Sequence, residues 1–97
     1  MNPIILLYTT VPSKEVALQI ARSLLEKKLI ACANIPAITS MYQWKDAIEN
    51  SDEFVLLAKS TSELKEQLIK ELKNLHPYET PAIFLYQPML KIISSIG

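Results

Sequence analysis

His76-Pro77-Tyr78-Glu79-Thr80-Pro81 holds the only histidine of the chain and two of its six prolines, together with a phenol and a carboxylate. A neutral imidazole is a metal ligand and a proton carrier near neutral pH. The carboxylate of Glu79, three positions on, can offer an oxygen to the same ion or orient the ring. Pro77 and Pro81 fix their own φ and push His76 and Thr80 towards extended geometry. A stiff backbone displaying these groups is how a site is built. It is equally how a rigid turn is built, with His76 bonded to a backbone group and Glu79 paired with a lysine. From the residues alone both readings stand.

Few other residues have the types or spacing for chemistry. Cys32, the only cysteine, reads either as a small buried hydrophobe or as a third donor beside His76 and Glu79, although no C-x2-C spacing supports it. Thr9 and Thr10 end an apolar run, where they either lead into a helix or offer hydroxyls to an anion. Tyr42 and Trp44 share one face of a strand, which suits packing at an interface or stacking on a ligand. Lys59 is a cation available to Glu79 or to a bound anion. The candidate metal ligands are therefore His76, Glu79 and Cys32, and the candidate ligand cleft is Thr9, Trp44, Lys59 and Tyr78. No serine or cysteine sits in a nucleophile motif, so the chain reads as a non-enzyme. Its one glycine, Gly97, leaves no Gly-rich phosphate loop and no nucleotide cofactor site.

The elements that must position these groups follow from periodicity. Ile4–Thr10 is a β-prone run ended by Pro12. Ser13 can cap a helix with Glu15 in its first turn, and Val16, Ala17, Ile20, Ala21, Leu24 and Leu25 form its apolar stripe. Leu29 to Trp44 reads as extended, interrupted at Pro36, with two-faced alternation from Ile38. A polar stretch, Lys45 to Glu53, leads to the continuously apolar Phe54 to Ala58, a strand buried on both faces. Ser60 and Glu63 have capping-box spacing ahead of a second helix with Leu64, Leu68, Ile69, Leu72 and Leu75 on one face. Glu66 and Lys70 are spaced for a helix-surface pair. Pro77 stops that helix at His76, Ala82 to Tyr86 is a last strand, and Pro88 to Ile96 predicts a short terminal helix.

This order, β-α-β-β-α-β, predicts an α+β ferredoxin-like sandwich with helices on one face of an antiparallel sheet. The other sheet face then needs a cover, because Ile4–Tyr8 and Phe54–Ala58 are apolar on both sides. A second copy of the chain is the simplest one, so we expect an oligomer.

The composition agrees. Ninety-seven residues make a single domain, 1–97. A formal net charge of +0 argues against nucleic acid as a partner and leaves little repulsion to oppose self-association. Hydrophobic residues at 49% are high for a small domain. The aliphatic run Ile4–Leu7 is too short for a membrane span or a signal-peptide core, so the expected location is cytoplasmic.

Thr9-Thr10-Val11-Pro12, Ala31-Cys32-Ala33-Asn34, Tyr42-x-Trp44 with Ile48-Glu49, Leu57-Ala58-Lys59-Ser60 and His76-Pro77-Tyr78-Glu79-Thr80-Pro81 occur in that order. Together they resemble the CutA divalent-cation-tolerance proteins across essentially the whole chain. The resemblance implies a cytoplasmic homotrimer knitted together by its long second and third strands. It also implies a role in tolerance of divalent cations, with copper or another such ion bound by some members, and no established enzymatic activity. A likeness of the trimer to the signal-transducing PII proteins adds a regulatory, small-molecule alternative. Three departures stand out. Asp46 occupies a usual glycine position, while Thr9 and Leu75 stand where copper-binding bacterial members offer a cysteine and a histidine. High-affinity copper binding is accordingly not expected.

Overall fold

A computed structural model describes residues 3–87 of the chain. The elements are β1 (Ile4–Val11), α1 (Lys14–Glu26), β2 (Cys32–Asn34), β3 (Ala37–Trp44), β4 (Ala47–Thr61), α2 (Lys65–Leu75) and β5 (Ile83–Tyr86), with a 3-10 turn at Ser62–Leu64. The expected terminal helix at Pro88–Ile96 lies outside the described residues.

The strands form one antiparallel sheet in the order β2-β4-β1-β5, with β3 also pairing to β4. β2 and β3 are one strand broken by a proline. Pro36 has no N–H to give, yet its carbonyl still accepts from Val55 N at 2.9 Å, so β4 runs past the break uninterrupted. Within the mixed α+β fold, Ile5, Leu7 and Val11 of β1 and Leu56 and Ala58 of β4 turn inward. They meet Ala17, Ile20, Ala21 and Leu24 of α1 and Leu68 and Leu72 of α2. Leu7, Leu24, Leu56, Leu68 and Leu72 are fully buried, each contributing about 2 kcal/mol by removal from water.

α1 begins where the sequence indicates: the Ser13 hydroxyl accepts from Val16 N at 3.2 Å. It ends in a Schellman motif without glycine. Lys28 takes φ 59°, while Lys28 N and Leu29 N bond the carbonyls of Leu25 and Leu24. Leu25, expected on the apolar stripe, is exposed, because α1 rests on the sheet along a narrower line through Ile20 and Leu24.

Three further expectations are corrected. Ser60 does not cap α2. It stays in β4 opposite Ile5 and donates to Leu29 O at 2.6 Å, so its hydroxyl is engaged elsewhere and the helix starts later, after a 3-10 turn without a side-chain cap. Glu66 and Lys70 do not form an ion pair. Among the described residues the ion pair is Lys27–Glu71, which ties the two helices together. Finally, the polar stretch Lys45–Glu53 is mostly strand rather than connector. Only Lys45 and Asp46 turn, at φ 49° and 66°, between the paired residues Trp44 and Ala47. That is a two-residue hairpin of the type requiring left-handed backbone at both positions. Among the described residues this half of β4 pairs with β3 alone and is mostly exposed, so no buried face imposes an apolar alternation on it. It forms an arm, and the described residues accordingly extend 47 × 29 × 20 Å.

Candidate functional site

The site is organised around a polar residue in an apolar register position. Thr9 lies in phase with Ile5, Leu7 and Val11 on the inward face of β1 and is 0% exposed. A hydroxyl buried there must find partners. It donates to Ala82 O at 2.7 Å, fastening the start of β5, and lies 3.1 Å from His76 Nε2.

His76 is delivered to that point by the end of α2. Its own N–H closes the helix on Leu72 O at 2.9 Å. Pro77 then forces it out of helical geometry, to φ −74° and ψ 133°. The ring is buried, and both nitrogens are engaged. Nδ1 lies 3.1 Å from Tyr78 N, a backbone amide that can only donate. Nδ1 therefore carries the lone pair and Nε2 the proton, which is directed at Thr10 O at 2.9 Å. Burial lowers the pKa of His76, and the Thr10 carbonyl opposes that in part by favouring the charged ring. The imidazole is thus held neutral and in one tautomer.

Tyr78 extends the network. Its ring lies 4.9 Å from that of His76 and its hydroxyl donates to Glu53 Oε2 at 2.8 Å. The other carboxylate oxygen accepts from Ser40 Oγ at 2.7 Å. Burial first, then the bond to Glu53 and the charges around it, push the Tyr78 phenol up to about 12. It stays a donor throughout the physiological range.

The remaining candidates are placed elsewhere. Glu79 is exposed and makes no ion pair among the described residues, neither with Lys59 nor with another lysine. Cys32 is half-buried on β2, opposite Lys59, which in turn lies opposite Leu6. Directly paired residues share a face, so Cys32, Lys59 and Leu6 form a row on the outward face. Thr9 and His76 lie on the inward face, roughly 10 Å further along the sheet. Among the described residues no three His, Cys, Asp or Glu side chains gather around a point where an ion would sit. Trp44 is at the arm tip with Lys45 Nζ 5.7 Å from its ring centroid. Some seven residues of strand separate it from the body, roughly 23 Å. Within one chain the structure brings Thr9, His76 and Tyr78 together, and leaves Trp44, Lys59, Cys32 and Glu79 apart.

Glu53 and Ser40 went unrecognised in the sequence. A signal was present for the centre of the network, since Thr9 interrupts an otherwise apolar inward alternation. None was present for Glu53, which reads as one more charge in a polar stretch.

Around Tyr8 and Phe84 the outward sheet face is apolar and, among the described residues, largely uncovered. Tyr8 and Phe84 are paired in register and meet edge to face, with centroids 6.1 Å apart. Phe84 and Tyr86 are more than half exposed, as are Met41, Trp44 and Ile48 of the arm.

The model of the CutA1 divalent ion tolerance protein family matches residues 5–91. The divalent-cation tolerance protein CutA of Thermotoga maritima is 52% identical over 80 residues, covering 82% of this chain and 79% of that one. The crystal structure of the divalent ion tolerance protein CutA1 from Ehrlichia chaffeensis superimposes with a TM-score of 0.87 at 47% identity, over 92% of this chain and 84% of that one. The periplasmic divalent cation tolerance protein CutA from Archaeoglobus fulgidus gives a TM-score of 0.81 at 40% identity, over 93% and 90%.

Proposed function

The chain belongs to the CutA1 divalent ion tolerance family, and from that membership we propose that it is a homotrimer that binds copper or another divalent cation weakly and serves in tolerance of that ion. The observation that carries the reading is the family match over residues 5–91, and the engagement of both His76 nitrogens bears on the affinity. Coordination needs a lone pair. The one on Nδ1 is directed at Tyr78 N–H, and Nε2 holds a proton on Thr10 O. A cation at Nε2 must displace that proton and its bond, which costs affinity and accounts for weak binding. Glu79, exposed three residues on, supplies an oxygen donor, and Cys32 reaches such a site only from a neighbouring copy.

Self-assembly is supported by the outward apolar face and by the arm, whose aromatic and aliphatic side chains are exposed among the described residues. The strand order, counting β2 and β3 as one, supports the ferredoxin-like sandwich. The number three comes from the resemblance. A cytoplasmic setting is part of the proposal, although the Archaeoglobus fulgidus relative is described as periplasmic.

Calorimetric titration of the metal-free protein with Cu(II) at about pH 7.5 tests the reading. Binding in simple ratio to subunits, lost in His76→Ala with the oligomer intact, is the expected result. No binding tighter than roughly 10 μM, about −7 kcal/mol, favours a second reading. In that reading the protein is a PII-like scaffold holding a small anion or a partner between subunits. Lys59 favours it: the ammonium is exposed on the outward face and has no ion-pair partner among the described residues. Lys59→Ala then abolishes anion binding and leaves cation binding intact.

A further inference from the structure

Glu53 stands where β4 changes partners. From Phe54 to Thr61 the strand is paired to β1. From Ala47 to Glu53, among the described residues, it is paired to β3 alone. The arm therefore leaves the body at this residue. Beyond it, among the described residues of one chain, two strands continue without a third, an arrangement that is marginal without added support.

Glu53 also uses both oxygens. Oε1 accepts from Ser40 on β3 and Oε2 from the phenol of Tyr78, bonds strengthened by the carboxylate charge. Tyr78 is anchored at its other end, its N–H on His76 Nδ1, and His76 is in turn bonded to the carbonyl of Thr10 on β1. A continuous hydrogen-bonded path thus runs from β1 through His76, Tyr78 and Glu53 to Ser40 on β3. It crosses from body to arm without using the sheet ladder. Tyr78 spans it as a rigid ring whose two polar ends have different owners.

We propose that Tyr78 is a strut bracing the root of the arm against the His76–Pro81 loop, so that the arm and the imidazole are coupled. The coupling does not depend on any cation being bound. It means that a change at His76 which takes the lone pair from Tyr78 N–H is felt at Ser40 and Glu53. Conversely, displacement of the arm is felt at the loop. Coupling of this kind is reciprocal, and reciprocity is what separates a strut from two neighbouring hydrogen bonds.

Amide hydrogen exchange on the intact protein tests it with two conservative variants. Tyr78→Phe keeps the ring and removes the hydroxyl. Glu53→Gln keeps the shape and removes the charge. In Tyr78→Phe the β3 amides between Thr39 and Gln43 are expected to exchange about five-fold faster, with the amides of Leu7 and Leu56 in the core unchanged. In Glu53→Gln the Tyr78 amide, on the far side of the strut, accelerates together with the arm. The double variant adds no more than either alone, because both cut one path. The proposal is overturned by an arm in Tyr78→Phe within two-fold of wild type, or by a Tyr78 amide unmoved in Glu53→Gln. Equal acceleration of arm and core, a global loss of stability, also overturns it.

Discussion

Thr9 and His76 are 67 residues apart in the chain, and their Oγ1 and Nε2 atoms lie 3.1 Å apart in the interior. The hydroxyl donates to Ala82 O, which leaves its lone pairs to face the Nε2–H that is directed chiefly at Thr10 O. One hydroxyl therefore joins the first strand, the end of α2 and the start of the last strand.

Removing that hydroxyl while keeping its shape isolates its contribution. Thr9→Val removes the donor to the Ala82 carbonyl, and a part-buried hydrogen bond of this kind contributes about 0.5–1.5 kcal/mol. Urea unfolding at fixed protein concentration is expected to show a loss in that range, and Thr9→Ser a much smaller one. A Thr9→Val protein as stable as wild type makes the contact incidental.

Acid acts on the same cluster through His76, whose pKa is lowered in the folded chain from 6.5. Below 6.5 the unfolded chain takes up a proton that the folded ring resists, so the unfolded state binds more protons and stability falls with pH. The contribution is fully present above 6.5 and declines until pH passes the lowered folded value. Unfolding midpoints measured from pH 8 to pH 5 should fall across that window. In His76→Gln the His76 contribution to the fall is absent. An equal pH response in both proteins excludes the imidazole as its source.

Alkali acts on Tyr78 with the opposite sign. Its phenol is pushed up to about 12 from 10.0, so between those values the unfolded chain loses a proton that the folded one retains, and stability falls as pH rises. Ultraviolet titration should show a tyrosine component near 12, and Tyr78→Phe should remove it. If Tyr78→Phe leaves the high-pH part of the titration unchanged, the Glu53 bond is not holding the proton.

What was legible in the sequence divides along a physical line. Element order, the Ser13 cap, the stop at His76 and the break at Pro36 were readable because each depends on local geometry or period. Ser60 misled because capping-box spacing says nothing about a competing long-range partner, here Leu29 O. The arm strand was hidden because Lys45–Glu53 has no buried face to impose alternation. His76 stands out in the sequence as the one imidazole in a stiff block, but its bonds to Thr9 and Thr10 depend on tertiary pairing. Glu53 matters only through the position of Tyr78, a relationship no spacing records.

The arm tip offers a backbone test. Asp46 holds φ 66°, a region where a side chain on the backbone is penalised and glycine is not. Asp46→Gly is expected to stabilise the hairpin by about 0.5 kcal/mol, and Asp46→Val to destabilise it by more than 1 kcal/mol. Exchange protection of the Trp44 and Ala47 amides reads both. Equal protection in the three proteins means that the tip is held by something other than its turn.

The outward face gives the last prediction. Phe84 and Leu18 are both substantially exposed in the single chain, at 61% and 49%, but only Phe84 lies within a continuous apolar surface, beside Tyr8 and Tyr86. If that surface meets solvent, replacing either residue by lysine is equally harmless. If another copy covers it, Phe84→Lys buries an unpaired charge in an interface and disperses the assembly, because such a charge costs several kcal/mol. Sedimentation at micromolar concentration should give wild type and Leu18→Lys a mass at a multiple of 11.0 kDa, and Phe84→Lys the mass of one chain. A Phe84→Lys protein that stays assembled moves the interface off this face, and the arm alone would then have to carry it.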